Sequence, residues 1–547
     1  MTINNIKNLA LAFFVMLGLS GCLSDLDVVP IDPNLDTADK VYQTQNDLEG
    51  GLAKIYAGFS VSGQQGPAGN GDLKGFDEGN SQYLRGYWVC QELPTDEAIN
   101  GWNDGNLPKM SQITWGGGNE FIRSFYYRAI YQVSLANEFI RQAKRFEGQD
   151  GFDRVPELIA EARYLRAFAY WHALDLFGNG VPFVTENDPV GAFLPPPAGA
   201  IKGDELFNFI SSEIKAILGE NPDDNNYLIS GSGTTIFGRA NQGAARMLLA
   251  KLYLNHKSYL SSEDNQWYTA AKEELDKIYA TNAYSLVTTK DAGSPYSVYE
   301  TLFLADNQKA ASEIIWAFTF DGQNAKSFGG TTYIINAGIG GQMVSTDYGT
   351  SGSWGGNRTT PEFVNLFDQK SPTDGRDLFF TQGQSKEINQ QDQFTQGYAV
   401  TKFKNKKQDG TDGSNLSEGF ADVNFPVFRL ADAYLMSAEL DLRLNNTVTA
   451  ENLARINQIR TRGGAPAVTN AVVDLDWMIE ERGRELYWEG HRRTDLIRFN
   501  QFTGGAYVWA FKGGNSSGRP VEDYFAVMPI PSTDVNANPN LTQNPGY

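Results

Sequence analysis

The sequence predicts a mainly α-helical protein, a scaffold of tetratricopeptide-like helical hairpins with a loop-rich excursion laid over one side. Three observations carry that expectation. Apolar residues recur at i, i+3, i+4 and i+7 through several long segments, the spacing of one helical face. Two neighbouring segments with small residues at facing positions suggest two helices joined by a short link. Between residues 285 and 425 helical periodicity fades, and Gly, Ser, Thr, Asn and aromatic residues dominate. Long irregular stretches in a protein with a core tend to carry function.

The elements follow in order. Residues 61–82 read as a polar, Gly-rich loop, and residues 120–145 as a helix. Residues 156–177 carry Leu165, Phe168, Ala169, His172 and Leu176 on one face, and Gly178-Asn179-Gly180 with Val181-Pro182 ends the helix. Residues 239–256 carry Ala240, Ala244, Leu248, Lys251 and Leu252, and residues 266–280 carry Trp267, Ala270, Ala271, Leu275 and Ile278. This pair fits a tetratricopeptide hairpin and a generic helical hairpin equally well. Further helices are expected at 428–443, 450–462 and 474–490. Within the loop-rich region, Glu313 to Phe320 has the look of a strand.

The N-terminus suggests export. Lys7 is the one charged residue before an apolar run from Leu9 to Leu19. That run is shorter than the roughly 20 apolar residues a membrane-spanning helix needs. Leu19-Ser20-Gly21-Cys22 has the form of a lipobox, so residues 1–21 are expected to be a lipoprotein signal peptide with Cys22 as the lipidation site. Acyl chains anchor at about 0.8 kcal/mol per buried CH₂. Residues 22–547 are then expected to form one domain with its loop-rich insertion at about 285–425. Cys90 is the one other cysteine. With Cys22 acylated no intrachain disulfide can form, and the core must hold the fold.

Composition narrows the partners. The formal net charge is −20, from 45 basic and 65 acidic residues, which disfavours nucleic acid and anionic membrane surfaces. There are 33 Phe, 25 Tyr and 10 Trp, too many for all to be core. Some sit in Gly-rich polar segments, as in Asn100-Gly101-Trp102-Asn103-Asp104-Gly105 and Gly352-Ser353-Trp354-Gly355-Gly356. A pyranose ring presents an apolar C–H face that stacks on a flat aromatic side chain, so such loops suit a neutral sugar.

Motifs for catalysis are weak. His172, His256 and His491 lie in or beside helical patterns without a second His or Cys at metal spacing. Gly514-Asn515-Ser516-Ser517-Gly518 matches the serine-hydrolase elbow in form, but Arg519-Pro520 follows and no histidine lies beyond His491. Glu481, Glu485 and Glu489 share a helical face at i, i+4 and i+8, with Arg482, Arg484, Arg492 and Arg493 around them. That density of opposite charge suits an ion-pair network between packed helices better than a glycosidase pair. The expectation is a protein that is not an enzyme and carries no cofactor.

The same residues complete a longer pattern. The run from Glu481-Arg482-Gly483-Arg484-Glu485-Leu486 to Asp495-Leu496-Ile497-Arg498 resembles the C-terminal signature of the SusD/RagB family of nutrient-binding outer-membrane lipoproteins. So do Met528-Pro529-Ile530-Pro531, Gln543-Asn544-Pro545-Gly546-Tyr547, Phe428 to Leu435, and Arg166 to Trp171. Asp72 to Gly79, Cys90 to Glu97, Phe328 to Tyr333 and Lys512-Gly513-Gly514 are most similar to the starch-binding branch of the family. The resemblance implies a helical, tetratricopeptide-like scaffold under a loop-rich ligand face. It also implies a surface-exposed, lipid-anchored place in the outer membrane beside a SusC-like TonB-dependent transporter. By position it assigns Trp102, Phe328 and Trp354 to an aromatic arc, with Asp77 and Arg85 as polar partners and Asn106 displaced by one position. The ligand implied is α-glucan, as starch or maltooligosaccharide. Another glycan such as dextran is the alternative, and a surface glycoside hydrolase a remoter one. Phe328 stands where the starch-binding branch has a tyrosine. The acidic run that holds calcium in that branch is not reproduced at Asp306-Asn307-Gln308 or at Asn424, so no metal is expected there.

Overall fold

A computed structural model describes residues 38–547, apart from 65, 68–70, 191–193, 196–203, 222–223, 225–226, 229–236 and 372. The expected signal peptide and Cys22 lie outside the described residues.

Thirteen helices organise the described chain, shorter turns aside. The first is α1 (Gln45–Ser60), started by a capping box in which Thr44 accepts from the Asp47 amide and Asp47 from the Thr44 amide. Next come α2 (Tyr83–Gln91), α3 (Glu120–Ala143), α4 (Val155–Phe177) and α5 (Asp204–Lys215). Asn119 caps α3 by accepting from the Phe121 and Ile122 amides, and Gly178 ends α4 at φ 61°. Both helices lie within two residues of the expected spans and pack along each other. The next pair, α6 (Gln242–Leu254) and α7 (Asn265–Ala280), is the expected hairpin, its link containing the short helix His256–Leu260. Ala244, Leu248, Leu252, Ala271 and Leu275 are all fully buried between neighbours. Lys251, which broke the apolar row, is buried too, its ammonium 2.6 Å from Asp432. A buried cation is tolerable only when so paired.

The loop-rich region contains short elements. They are α8 (Gly330–Ala337) and α9 (Pro361–Asp368), with strand pairs rather than a sheet. Residues Ile99–Asn100 (β1) pair antiparallel with Asn357–Arg358 (β3). Residues Ile314–Phe318 (β2), the expected strand, pair antiparallel with Phe425–Arg429 (β6), all ten side chains buried. Residues Phe379–Phe380 (β4) pair with Ala399–Val400 (β5). Because β6 claims Phe428 and Arg429, the helix expected from 428 starts at 430 as α10 (Leu430–Asn445). The chain continues through α11 (Ala450–Arg462), α12 (Leu475–Leu486) and α13 (Arg492–Arg498).

Two further departures from expectation have a cause in the packing. The helix expected to reach 490 stops at Leu486, and Trp488 and Gly490 adopt φ of 65° and 80°. Tertiary packing imposes that break: the Trp488 indole donates to the Glu97 carbonyl at 2.9 Å, and a Cβ on Gly490 would sit 2.8 Å from the Tyr87 ring. The second is α2, which periodicity did not reveal because all nine of its residues are buried and no stripe stands out. No helix among the described residues is long and apolar enough to cross a membrane.

Candidate functional site

The segment before and within α2 grips the segment that leads into α8. The buried Glu78 carboxylate accepts from the Ser62 hydroxyl, from the Ser327 hydroxyl at 2.9 Å and from the Phe328 amide at 3.1 Å. The Gln82 side-chain Oε1 accepts from the Gly330 and Arg85 amides, both at 2.8 Å. A Cβ on Gly79 would lie 2.9 Å from the Phe328 carbonyl oxygen, so this close approach requires glycine. The clamp leaves the Phe328 ring 39% exposed, its inner edge against Phe420 at 5.3 Å.

A second joint carries the tryptophans. The Trp102 amide donates to Asn100 Oδ1 at 2.7 Å, and Gly101 donates to the Gly356 carbonyl at 2.9 Å. The Trp102 indole donates to the Trp354 carbonyl at 3.0 Å, while the Trp354 amide donates to the Asn336 carbonyl at the end of α8. Gly356 has no room for a side chain because the Trp102 ring covers it, 2.6 Å from where a Cβ would stand. Three rings follow one another as a result. Phe328 and Trp354 lie 6.3 Å apart with a 56° tilt, and Trp354 and Trp102 lie 6.4 Å apart with a 47° tilt. Both tryptophans are half-buried rather than freely exposed as the flanking glycines suggested, because each packs its inner edge on the core.

Arg85 lies beneath the rings. It is 9% exposed, its guanidinium 4.4 Å from the Tyr333 ring and 5.9 Å from the Trp102 ring. Its Nη1 donates to the Phe328 carbonyl at 3.2 Å. Burial lowers its pKa, against the opposing pull of Tyr333, Asp77, Glu78 and Asp104. Arg85 Nε and Asn357 Nδ2 are buried donors without an acceptor among the described residues, the kind of group that a sugar hydroxyl or an ordered water satisfies. Asp77 is exposed at the rim, accepting from the Asn80 amide. Asn106 follows Trp102 on its loop, but its amide nitrogen is committed to Glu120. The structure thus gathers Trp102, Phe328, Trp354 and Arg85 into one cluster with Asp77 beside it, and turns the Asn106 donor away. Tyr333, Phe420, Asn100 and Asn357 complete the cluster. Sequence reasoning missed them because their places follow from contacts between distant segments, which no local pattern signals.

The other candidates resolve elsewhere. His172 stacks on Tyr87 at 3.8 Å in the core, and His256 bonds the backbone of Tyr253 and Asp264. Ser516 and Ser517 lie on an exposed loop with no strand before them. Glu481, Glu485 and Glu489 are buried, but Glu489 lies beyond the end of α12 rather than on its face. Their main partners come from other elements. Arg376 and Arg460 reach Glu481 at 2.9 and 2.6 Å, Arg429 reaches Glu485 at 2.9 and Glu489 at 2.6 Å, and Lys402 reaches Glu489 at 2.7 Å. Arg462 also pairs with Glu485. Of the four arginines expected around the cluster, Arg484 joins it, while Arg482 and Arg492 serve Asp495 and Asp96 and Arg493 serves backbone carbonyls. Burial pushes the Glu485 carboxyl up, yet Arg462, Arg429, Arg376 and Lys402 outweigh it and bring it down to about 2. At the place considered for calcium, Asp306 pairs with Lys309 at 2.9 Å, and Asn424 donates to Asn307 at 2.9 Å.

Known proteins share this architecture. The family profile described as SusD family matches residues 373–547. The chain is 31% identical to the starch-binding protein SusD of Bacteroides thetaiotaomicron, over 100% of this chain and 99% of that protein. A SusD superfamily protein from Parabacteroides distasonis superposes with a TM-score of 0.68 at 22% identity, covering 92% of this chain and 100% of that one. Surface glycan-binding protein A from Bacteroides thetaiotaomicron, solved with laminarihexaose, superposes with a TM-score of 0.67 at 18% identity over the same shares.

Proposed function

The chain belongs to the SusD family, and from that premise we propose that it is a cell-surface lipoprotein that captures α-glucan and delivers it to a SusC-like TonB-dependent outer-membrane transporter. The observation that carries the reading is the curvature of the aromatic cluster. Successive tilts of 56° and 47° across Phe328, Trp354 and Trp102 bend the stacking surface. A helical α-1,4-glucan turns its sugar faces along such a bend, whereas a flat glycan contacts one or two rings. The chemistry is noncovalent: C–H faces stack on the rings, and hydroxyls meet Asp77, Arg85 and the Asn106 carbonyl oxygen. The pairing of Glu481, Glu485 and Glu489 with interior cations supports a binding protein over a hydrolase. No resident metal or cofactor enters the mechanism.

A second reading is favoured by one observation. The protein that superposes with laminarihexaose bound shows this fold holding another glucan. Affinity electrophoresis through gels containing starch, dextran or laminarin separates the readings. The proposal expects strongest retardation by starch, with no new reducing ends. Retardation by laminarin or dextran alone rejects the starch-type α-1,4-glucan as the ligand, and release of reducing ends from starch rejects the binding-protein role.

A further inference from the structure

We infer that Arg358 is a positioning residue that sets the angle between Trp102 and Trp354, and so the curvature of the glycan the site accepts. This rests on the glycan-binding reading proposed above. Arg358 lies on β3 opposite Ile99 and is fully buried. Its three hydrogen bonds all go to backbone carbonyls: Nε to Gln396 at 2.9 Å, Nη1 to Gly356 at 3.0 Å and Nη2 to Gln391 at 2.7 Å. The carboxylate that bears on it electrostatically is Asp392, an exposed residue. Burial without a contact ion pair brings its pKa down to about 10. A buried cation on neutral acceptors is costly, and its position needs a reason.

The geometry supplies one. The β1–β3 ladder is two residues long, too short to fix the mutual orientation of the loops it joins. The guanidinium crosslinks them. The Gly356 carbonyl that it holds is the one that accepts from Gly101, and a Cβ on Gly101 would stand 2.8 Å from Nη1. Gln391, held by its carbonyl, sends its own Nε2 to the Asn100 carbonyl at 3.1 Å and accepts from Gln112 at 2.8 Å. The residues before Trp102, the residues after Trp354 and the 391–396 loop therefore meet on one planar group. An ammonium has neither the fork nor the reach to serve three diverging carbonyls in one plane.

The test compares Arg358→Lys with the parent, using a cyclic glucan whose curvature is imposed and linear maltoheptaose, which bends freely. The ratio of the two affinities is the readout, since general loosening of the site weakens both alike. The inference expects a shift in that ratio of about fivefold, with a cooperative melt retained. An equal loss for both ligands, or no change, overturns it. If Arg358→Lys does not fold, Gln391→Ala, which keeps the backbone carbonyl but cuts the ties to Asn100 and Gln112, is expected to shift the ratio in the same direction. Near-UV circular dichroism of the ligand-free chain supplies an arm independent of function. The band lost in Trp102→Phe is expected to change in Arg358→Lys, and an unchanged band overturns the inference even if the parent binds no glucan. Failure of the parent to bind either glucan counts separately, against the proposed function.

Discussion

Trp102 and Trp354 occupy positions that much of the surrounding backbone is shaped to maintain: glycines at 101, 355 and 356, an indole-to-carbonyl bond between them, and Tyr333 beneath. Losing one stacking face is expected to weaken maltooligosaccharide binding by about 1–3 kcal/mol, by analogy with base–aromatic stacking. Since each ring also covers core, Trp102→Ala and Trp354→Ala are expected to lose about 1–2 kcal/mol of stability as well. Calorimetry beside a melting curve checks both, and unchanged affinity in either variant argues against its ring touching the ligand. Glu485 belongs to the other kind of residue. Fully buried and shared by Arg429, Arg462 and Arg376, it leaves the buried cluster one negative charge short if neutralised, so Glu485→Gln is expected to cost about 3–5 kcal/mol and to abolish no reaction. A variant with the parent's melting temperature would contradict the packing role. The three residues proposed to stack on the ligand and this acidic cluster were legible in the sequence because both types are conspicuous. Arg358, Tyr333 and Asn357 were not legible, because Tyr333 and Asn357 meet residues of the 85–100 segment hundreds of positions away and Arg358 bonds backbone carbonyls that no side-chain pattern announces.

Among the elements, α3, α4, α6, α7, α10, α11 and α12 were legible, while α1, α2, α5, α8, α9 and α13 were not. The periods of α3 and α7 survived because one face meets solvent, and α4 and α6, though mostly buried, are long enough to repeat their apolar and small residues at helical spacing, whereas α2 is nine residues long and buried throughout. The turn after α12 was invisible because partners in the 92–97 segment dictate it. There Glu92 accepts from the Gly490 amide and Glu97 from the Trp488 amide, both carboxylates fully buried and each acting on the other's proton affinity. Burial is the main cause that raises both groups; Glu92 is pushed up to about 7 although Lys402 and Arg492 pull it down, and Asp96 raises Glu97 further. A folded-state pKa above the unfolded value means stability that is full below about 4.5 and is lost as pH rises through about 7. The melting temperature is therefore expected to fall across that window, and Glu97→Gln, whose amide donates to Glu92 permanently, to flatten the fall. An equally steep profile in the variant would show that the pair does not share a proton. The Asp306–Lys309 pair and the Asn307–Asn424 bond lead to a further expectation, that a chelator leaves the melting curve unchanged. A drop reversed by calcium would place a cation there after all.

At the scale of the whole molecule, the fold class and the family followed from periodicity and from signatures spread along the chain, and the 31% identity over its full length agrees with them. The curvature of the proposed ligand face did not follow, because it lies in ring tilts between loops that meet at close-packed glycines and, on the inference above, at one buried guanidinium. The proposed anchor belongs to this scale too. Cys22→Ala is expected to release the protein from the outer membrane, in cells lacking the transporter, while leaving its fold intact. Membrane fractionation equal to the parent's would mean that an acyl chain is not what holds it. The central claim is that the tilted ring series is the glucan site. Its most direct test is calorimetric titration of maltoheptaose into the parent and into the Trp102→Ala, Trp354→Ala double variant, with folding verified by circular dichroism. The account predicts binding by the parent and none measurable in the folded double variant; full affinity in that variant would contradict it.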